Sequence, residues 1–266
     1  MKDRMTLGQY YPADSVLHRM DPRVKLTGTI VYIIALFLAK SIWGYLLAAA
    51  FLVTVIIISK VPVKFMVKGM RSIVLLIVIT VLFNMFMTPG ETLVEFGRVH
   101  ITKEGAALAS AMAIRLIFLI MGSNIMTLTT TPNQLTDGLE SLMSPLKIIH
   151  MPVHEVAMMM SIALRFIPIL MEETDKIMKA QMARGASFDE GNLIERAKSL
   201  VPLLVPLFVS AFRRAGDLAL AMEARCYRGG EHRTKMKPLC YKAGDYIGYV
   251  VLAALFAAAI AIRIIL

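Results

Sequence analysis

The chain holds too little cysteine for a disulfide framework or a zinc knuckle. Its two cysteines, Cys226 and Cys240, lack CxxC spacing and read as free thiols. Residues Met1 to Leu26 are polar and contain no apolar h-region, so no cleavable signal is expected. There is no Walker A sequence, no GxSxG elbow, no HExxH and no pair of carboxylates inside an apolar segment. An enzyme therefore has no residues to carry it, and any ATP dependence must come from a partner. Acidic residues are also few, 19 against 29 Lys and Arg, for a net charge of +10. That excess does not point to nucleic acid. Many of the cations flank apolar segments, where they orient a membrane protein, and no basic cluster is interleaved with stacking aromatics. His150, His154 and Glu155 resemble a metal face, but Pro152 breaks the helical turn that would align both rings, so no metal site is expected.

What the chain has is apolar sequence. At 57% hydrophobic and a mean hydropathy of +0.66, it is an integral membrane protein. Asp21 followed by Pro22 is a strong helix start, because the carboxylate accepts orphan N–H groups and proline has none to lose. Apolar runs follow at Leu26–Ala39, Tyr45–Ser59, Ser72–Thr88, Gly105–Thr129 and Tyr246–Ile262. They predict about five transmembrane helices. The loop with Lys60, Lys64, Lys68 and Arg71 has no acid and reads as cytoplasmic, while acid-leaning Glu91–Glu104 has strand-like or turn character and reads as external. Gly105, Ala109 and Ala113, and again Gly244 and Gly248, have the spacing that lets helix backbones approach closely.

Between the fourth and fifth spans lies a charged, helical stretch from Pro132 to Gly230. It predicts three cytoplasmic helices. The first covers Pro132–Met143, and the second runs from near Pro152 to Arg184 with Pro168 inside it. The third runs from near Asn192 to about Arg225, carrying Pro202 and Pro206. In an alternative topology Val156–Met171 and Leu200–Phe212 both cross the membrane; Arg165 and the prolines favour the cytoplasmic reading. The fold class predicted is all-α, with about five transmembrane helices and a module of about three cytoplasmic helices. The boundaries are 1–26 for an amphipathic lead-in, 27–130 for a four-helix membrane region, 131–242 for the module and 243–266 for the last span.

Four sets of residues stand out. Arg115 lies inside the fourth span, where an ionisable group is a functional suspect; carbonyls, Asn84 or a polar gap between helices would satisfy it as a structural residue. Twenty methionines are present, with Met158, Met159, Met160, Met171, Met178 and Met182 close together. Such a face either fills gaps or repacks against non-identical partners. The second and third helices of the module each end in an Ala-Arg pair, Ala183-Arg184-Gly185 and Ala224-Arg225-Cys226. An arginine in a last turn suits the helix dipole, but two in succession suggest paired docking, with each guanidinium fork entering an acidic pocket.

Gly8-Gln9-Tyr10, His18, Asp21-Pro22-Arg23, Lys25-Leu26, the spans and the two Ala-Arg elements together resemble the transmembrane (T) component of energy-coupling factor transporters, over essentially the whole chain. The resemblance implies that Arg184 and Arg225 end two coupling helices, each docking one of two ABC-type ATPases. It also implies a substrate-binding S component packed on the spans and coupling helices, with Met158, Met159, Met160, Met171 and Met178 as its candidate contacts. Vitamins or metal ions would be the cargo. No cofactor is expected on this chain, since ATP is used by the ATPases, and a bacterial cell membrane with the N-terminus cytoplasmic is the expected location. Cys226 stands where the family motif has glycine, so the local turn is expected to differ there, with Gly229-Gly230 as the alternative stop. The other class of function compatible with the sequence is a stand-alone secondary carrier or channel, for which Arg115 would line the path.

Overall fold

A computed structural model describes residues 10–70, 73–89, 91–96, 99–186, 188, 192–229 and 238–265. Gly8, Gln9, Arg71 and Gly230 lie outside them. The chain forms two compact units, residues 1–142 with 239–266, and residues 143–238.

The first unit is a helical bundle. Its elements are α1 (Val16–Arg19), α2 (Pro22–Leu38), α3 (Ile42–Ser59), α4 (Val63–Met70), α5 (Val74–Met87), α6 (Lys103–Thr129), α7 (Pro132–Met143) and α10 (Ala243–Ile265). A two-stranded antiparallel hairpin, β1 (Thr92–Phe96) and β2 (Val99–Thr102), joins α5 to α6, in the stretch expected to have strand-like or turn character. The 27-residue α6 is central and packs on α2, α3, α4 and α5, while α10 packs on α2 and α3. The core gathers Tyr32, Leu36, Leu52, Met66, Ile125, Leu128 and Leu255. Gly122 makes this packing possible, since a Cβ there would lie 2.6 Å from the Tyr32 ring. Gly105 likewise brings α6 against the Asn84 and Met85 carbonyls of α5, and Gly248 leaves room for Met20 and Val24; Gly244 has open space around it. Helix α7 packs by Gly138 against Pro22 and Leu26.

The second unit holds a 3-10 turn (Ser144–Ile149), α8 (Val153–Ala183) and α9 (Leu193–Ala224). A capping box starts α9: the Asn192 side chain accepts from the N3 backbone, and Glu195 accepts from Asn192. Pro168, Pro202 and Pro206 are all accommodated inside continuous helices.

Among the described residues, four helices are long and apolar enough to cross a membrane: α3, α6, α8 and α10. The expected first and third spans correspond to α2 and α5, which have 17 and 14 residues. Conversely α8, expected to be cytoplasmic, meets the length and composition of a span. Its apolar N-terminal half gives it that character; its C-terminal half carries Glu172, Glu173, Asp175, Lys176 and Lys179. At 31 residues α8 is about 46 Å long, well beyond a hydrocarbon core of about 30 Å.

Candidate functional site

The two Ala-Arg ends close their helices identically. At the end of α8 the N–H of Gly185 donates to the Met182 carbonyl and that of Ala186 to the Gln181 carbonyl, both at 3.0 Å. At the end of α9 the N–H of Cys226 donates to Glu223 at 2.8 Å and that of Tyr227 to Met222 at 3.0 Å. Both are Schellman closures, in which the residue after the cap turns left-handed to satisfy the last carbonyls. Gly185 does so at φ +91° and Cys226 at φ +54°. The expectation that Cys226 would displace the stop to Gly229-Gly230 is therefore corrected. The hydrogen bonds of the closure are backbone bonds, and a non-glycine residue can enter the left-handed well at a cost of about 1–2 kcal/mol. Cys226→Gly is expected to stabilise the end of α9 by about 1 kcal/mol, and Gly185→Ala to destabilise that of α8 by a similar amount. Hydrogen exchange at the amides of Cys226, Tyr227, Gly185 and Ala186 measures both.

Arg184 and Arg225 are the cap residues themselves, and both are exposed. Helices α8 and α9 are tied where Ser210 donates to Glu173 at 2.5 Å and Arg214 Nη2 pairs with the other Glu173 oxygen at 3.1 Å. From Glu173 to Arg184, and from Arg214 to Arg225, is eleven residues in each helix. Eleven residues is three turns plus about 20°. Each arginine thus continues the face by which its helix meets the other, about 16 Å beyond the shared contact.

The methionines divide by the same periodicity. Met160, Met171, Met178 and Met182 fall within about 40° of one another on α8, on the side away from Glu173. Met160, Met171 and Met182 are exposed and Met178 is half-buried. Met159 lies to one side of this stripe at 58% exposure, and half-buried Met158 is on the opposite side. On α9 the exposed Val201, Val205, Phe208 and Phe212 form a second apolar stripe facing away from Arg214.

Arg115 is engaged by its own unit. Its Nη2 donates to the Ala39 carbonyl at the end of α2 at 3.0 Å, and the guanidinium lies 5.7 Å from the Phe37 ring and 5.8 Å from that of Tyr45. Of the structural partners considered for it, a carbonyl is the one found. Asn84 is occupied elsewhere, donating to the Thr80 carbonyl at 2.8 Å. Among the described residues no three His, Cys, Asp or Glu side chains come together as a metal-ion set.

A further polar assembly joins the N-terminal residues to the head of α10. Asp21 caps α2 by accepting the Arg23 N–H, and donates its own N–H to Asp245 at 2.8 Å. The second Asp245 oxygen accepts the Lys242 N–H at 2.7 Å. Arg23 donates to the Leu239 carbonyl and stacks 4.2 Å over Tyr241. Lys25, 7% exposed, donates to the carbonyls of Thr129 and His18 at 2.9 and 3.4 Å. Burial pushes the Lys25 ammonium down to about 8, against the opposing pull of Asp21 and Asp245. His18 Nε2 donates to the Tyr11 carbonyl at 3.0 Å and Nδ1 lies 2.7 Å from the Ser15 hydroxyl, while burial lowers the His18 pKa and so favours the neutral imidazole. Arg23 and Lys25, two of the cations that flank the first apolar run, both make internal bonds. Asp245 was missed altogether. The signal was present: an acid in the first turn before an apolar run is the position from which a carboxylate reaches back to the cap N–H.

These features define an all-α, multi-pass membrane protein whose polar groups serve as ties between helices and as helix closures. Residues 13–236 match the family described as CbiQ, cobalt transport protein. The chain is 52% identical over 261 residues, 98% of both chains, to the energy-coupling factor transporter transmembrane protein EcfT of Thermosediminibacter oceani. It is 53% identical over 243 residues, 91% of both, to the protein of that name from Ruminiclostridium cellulolyticum, and 47% identical to that of Bacillus subtilis over 96% of this chain and 98% of that one. The chain belongs to this family of membrane transport components.

Proposed function

We propose that the chain is the non-catalytic transmembrane scaffold of an ATP-driven importer for vitamins or other micronutrients. Two ABC-type ATPases use the ATP, and this chain binds no cofactor of its own. Ala183-Arg184-Gly185 docks one ATPase and Ala224-Arg225-Cys226 the other, with the N-terminus in the cytoplasm. A substrate-binding S component packs on the methionine stripe of α8 and the apolar stripe of α9, so that movement of the ATPases reorients it. One observation carries the reading: two exposed arginines cap successive helices by the same closure, each eleven residues past a shared contact. A device of that symmetry suits a pair of like partners. Alanine before each arginine permits close approach, and the guanidinium supplies bidentate binding to a carboxylate. Against a stand-alone carrier stands the bond of Arg115 to Ala39, which takes up the cation such a path would use.

The test is to tag this chain, express it with candidate ABC ATPases from the same source, and purify it in mild detergent. Retention of both ATPases is expected. Their absence, together with uptake into proteoliposomes by the chain alone, would overturn the scaffold in favour of the carrier.

A further inference from the structure

A crevice of about 220 Å³ opens at the end of the bundle where α2 finishes, α3 begins and α10 runs out. The Asp21–Asp245 anchor is at the start of α2 and the crevice at its end, so the two lie at opposite ends of that helix. The crevice walls are Leu38, Leu47, Leu255 and Ile262, and its rim holds Lys40 and Arg263. Neither cation has an ion-pair partner among the described residues, and both are exposed. Ser41, which also lines the crevice, places its hydroxyl oxygen in full burial with no hydrogen-bond partner. It is the N-cap of the 18-residue α3, yet its side chain caps nothing, so the first-turn N–H groups have no side-chain acceptor.

Two unpaired cations, an idle buried hydroxyl and an uncapped helix start surround one space, and every one of them is a partner for an anion. The apolar side chains that line the same space suit a hydrocarbon chain. Trp43, 60% exposed and two residues from Ser41, stands beside it, as aromatic side chains do at the depth of lipid headgroups. We infer that this crevice binds the phosphate of an anionic glycerophospholipid, with Lys40 and Arg263 on the phosphate, Ser41 donating to it, and an acyl chain along Leu47, Leu255 and Ile262. The site would fix the far end of α2, α3 and α10 in the bilayer.

Trp43 is the only tryptophan in the chain, so it reports on the site directly. The full chain, purified in detergent, is titrated with brominated phosphatidylglycerol or with brominated phosphatidylcholine of the same acyl chains, at constant ionic strength. Phosphatidylglycerol is expected to quench Trp43 at a severalfold lower mole fraction. Lys40→Gln/Arg263→Gln should bring the two lipids together, each cation being worth about fivefold near a membrane surface. Both side chains are exposed, so the fold should survive; unchanged helical circular dichroism checks it. Lys64→Gln, an exposed lysine elsewhere in the unit, should keep the preference. Equal quenching by the two lipids in the wild type would overturn the site, as would a preference that survives the double variant or vanishes in Lys64→Gln. Loss of the preference on adding millimolar inorganic phosphate would assign the crevice to free phosphate and overturn the lipid assignment.

Discussion

Arg184→Glu/Arg225→Glu is expected to strip both ATPases from the chain during purification. Each arginine is the cap residue of its helix and is exposed, so a partner carboxylate can meet it without rearrangement of α8 or α9. Truncating one side of a hydrogen-bonded charge pair at an interface costs about 2–5 kcal/mol, at least about thirtyfold in affinity. Reversal costs more, because two carboxylates then face each other. The reversal also places a negative charge against the negative end of a helix dipole, a local cost of about 0.3–1 kcal/mol. Arg184→Gln/Arg225→Gln separates the two effects: it removes the pairing without that penalty and should still lose the ATPases. Either single variant should weaken one ATPase more than the other, since in the proposed assembly each arginine serves its own partner. Full retention of both ATPases by the double glutamate variant would remove these residues from the docking surface.

The second large effect is expected at the opposite kind of position, buried and absent from any motif. Asp245→Ala leaves the N–H groups of Asp21 and Lys242 without acceptors and takes a counter-charge from Lys25. An orphaned buried donor costs about 1–3 kcal/mol, so a loss on the order of 3 kcal/mol is expected. Asp245→Asn keeps one acceptor oxygen and should fall between alanine and wild type. Thermal unfolding of the purified chain in detergent reads both, and a Tm unchanged in Asp245→Ala would show that the tie contributes nothing. The consequence reaches beyond stability. This tie joins the head of α2 to the head of α10, residues 224 apart in sequence, and so closes the bundle across the whole insert.

Much of the protein was legible from local chemistry. Pro22 after Asp21 announced the start of α2, and Asp21 does cap it. Composition alone required a membrane protein, because so much apolar surface has no soluble means of burial. The Ala-Arg pairs and Gly185 marked helix ends, since the residues that end a helix act within a few positions of one another. The same local reading placed Pro168 inside the second helix and Pro202 and Pro206 inside the third, and each is accommodated without ending its helix.

Tertiary structure decided what depends on partners distant in the chain. Lys25 reads as a surface charge until Thr129 and His18 are seen to enclose it. Arg115 reads as either a structural or a pathway residue until the Ala39 carbonyl is seen to meet it. Six methionines in one stretch become a stripe of four only because α8 continues through Pro168, so that residues eleven apart share a face. Whether Cys226 could replace a glycine also lay beyond sequence, because the answer is a backbone dihedral whose strain the helix-end hydrogen bonds offset. Sequence by itself determined the class, the helix starts and stops and the family, all of which rest on short-range geometry and on composition. Which charges are free and which are consumed was decided by the fold, because a buried cation is defined by the carbonyls packed around it.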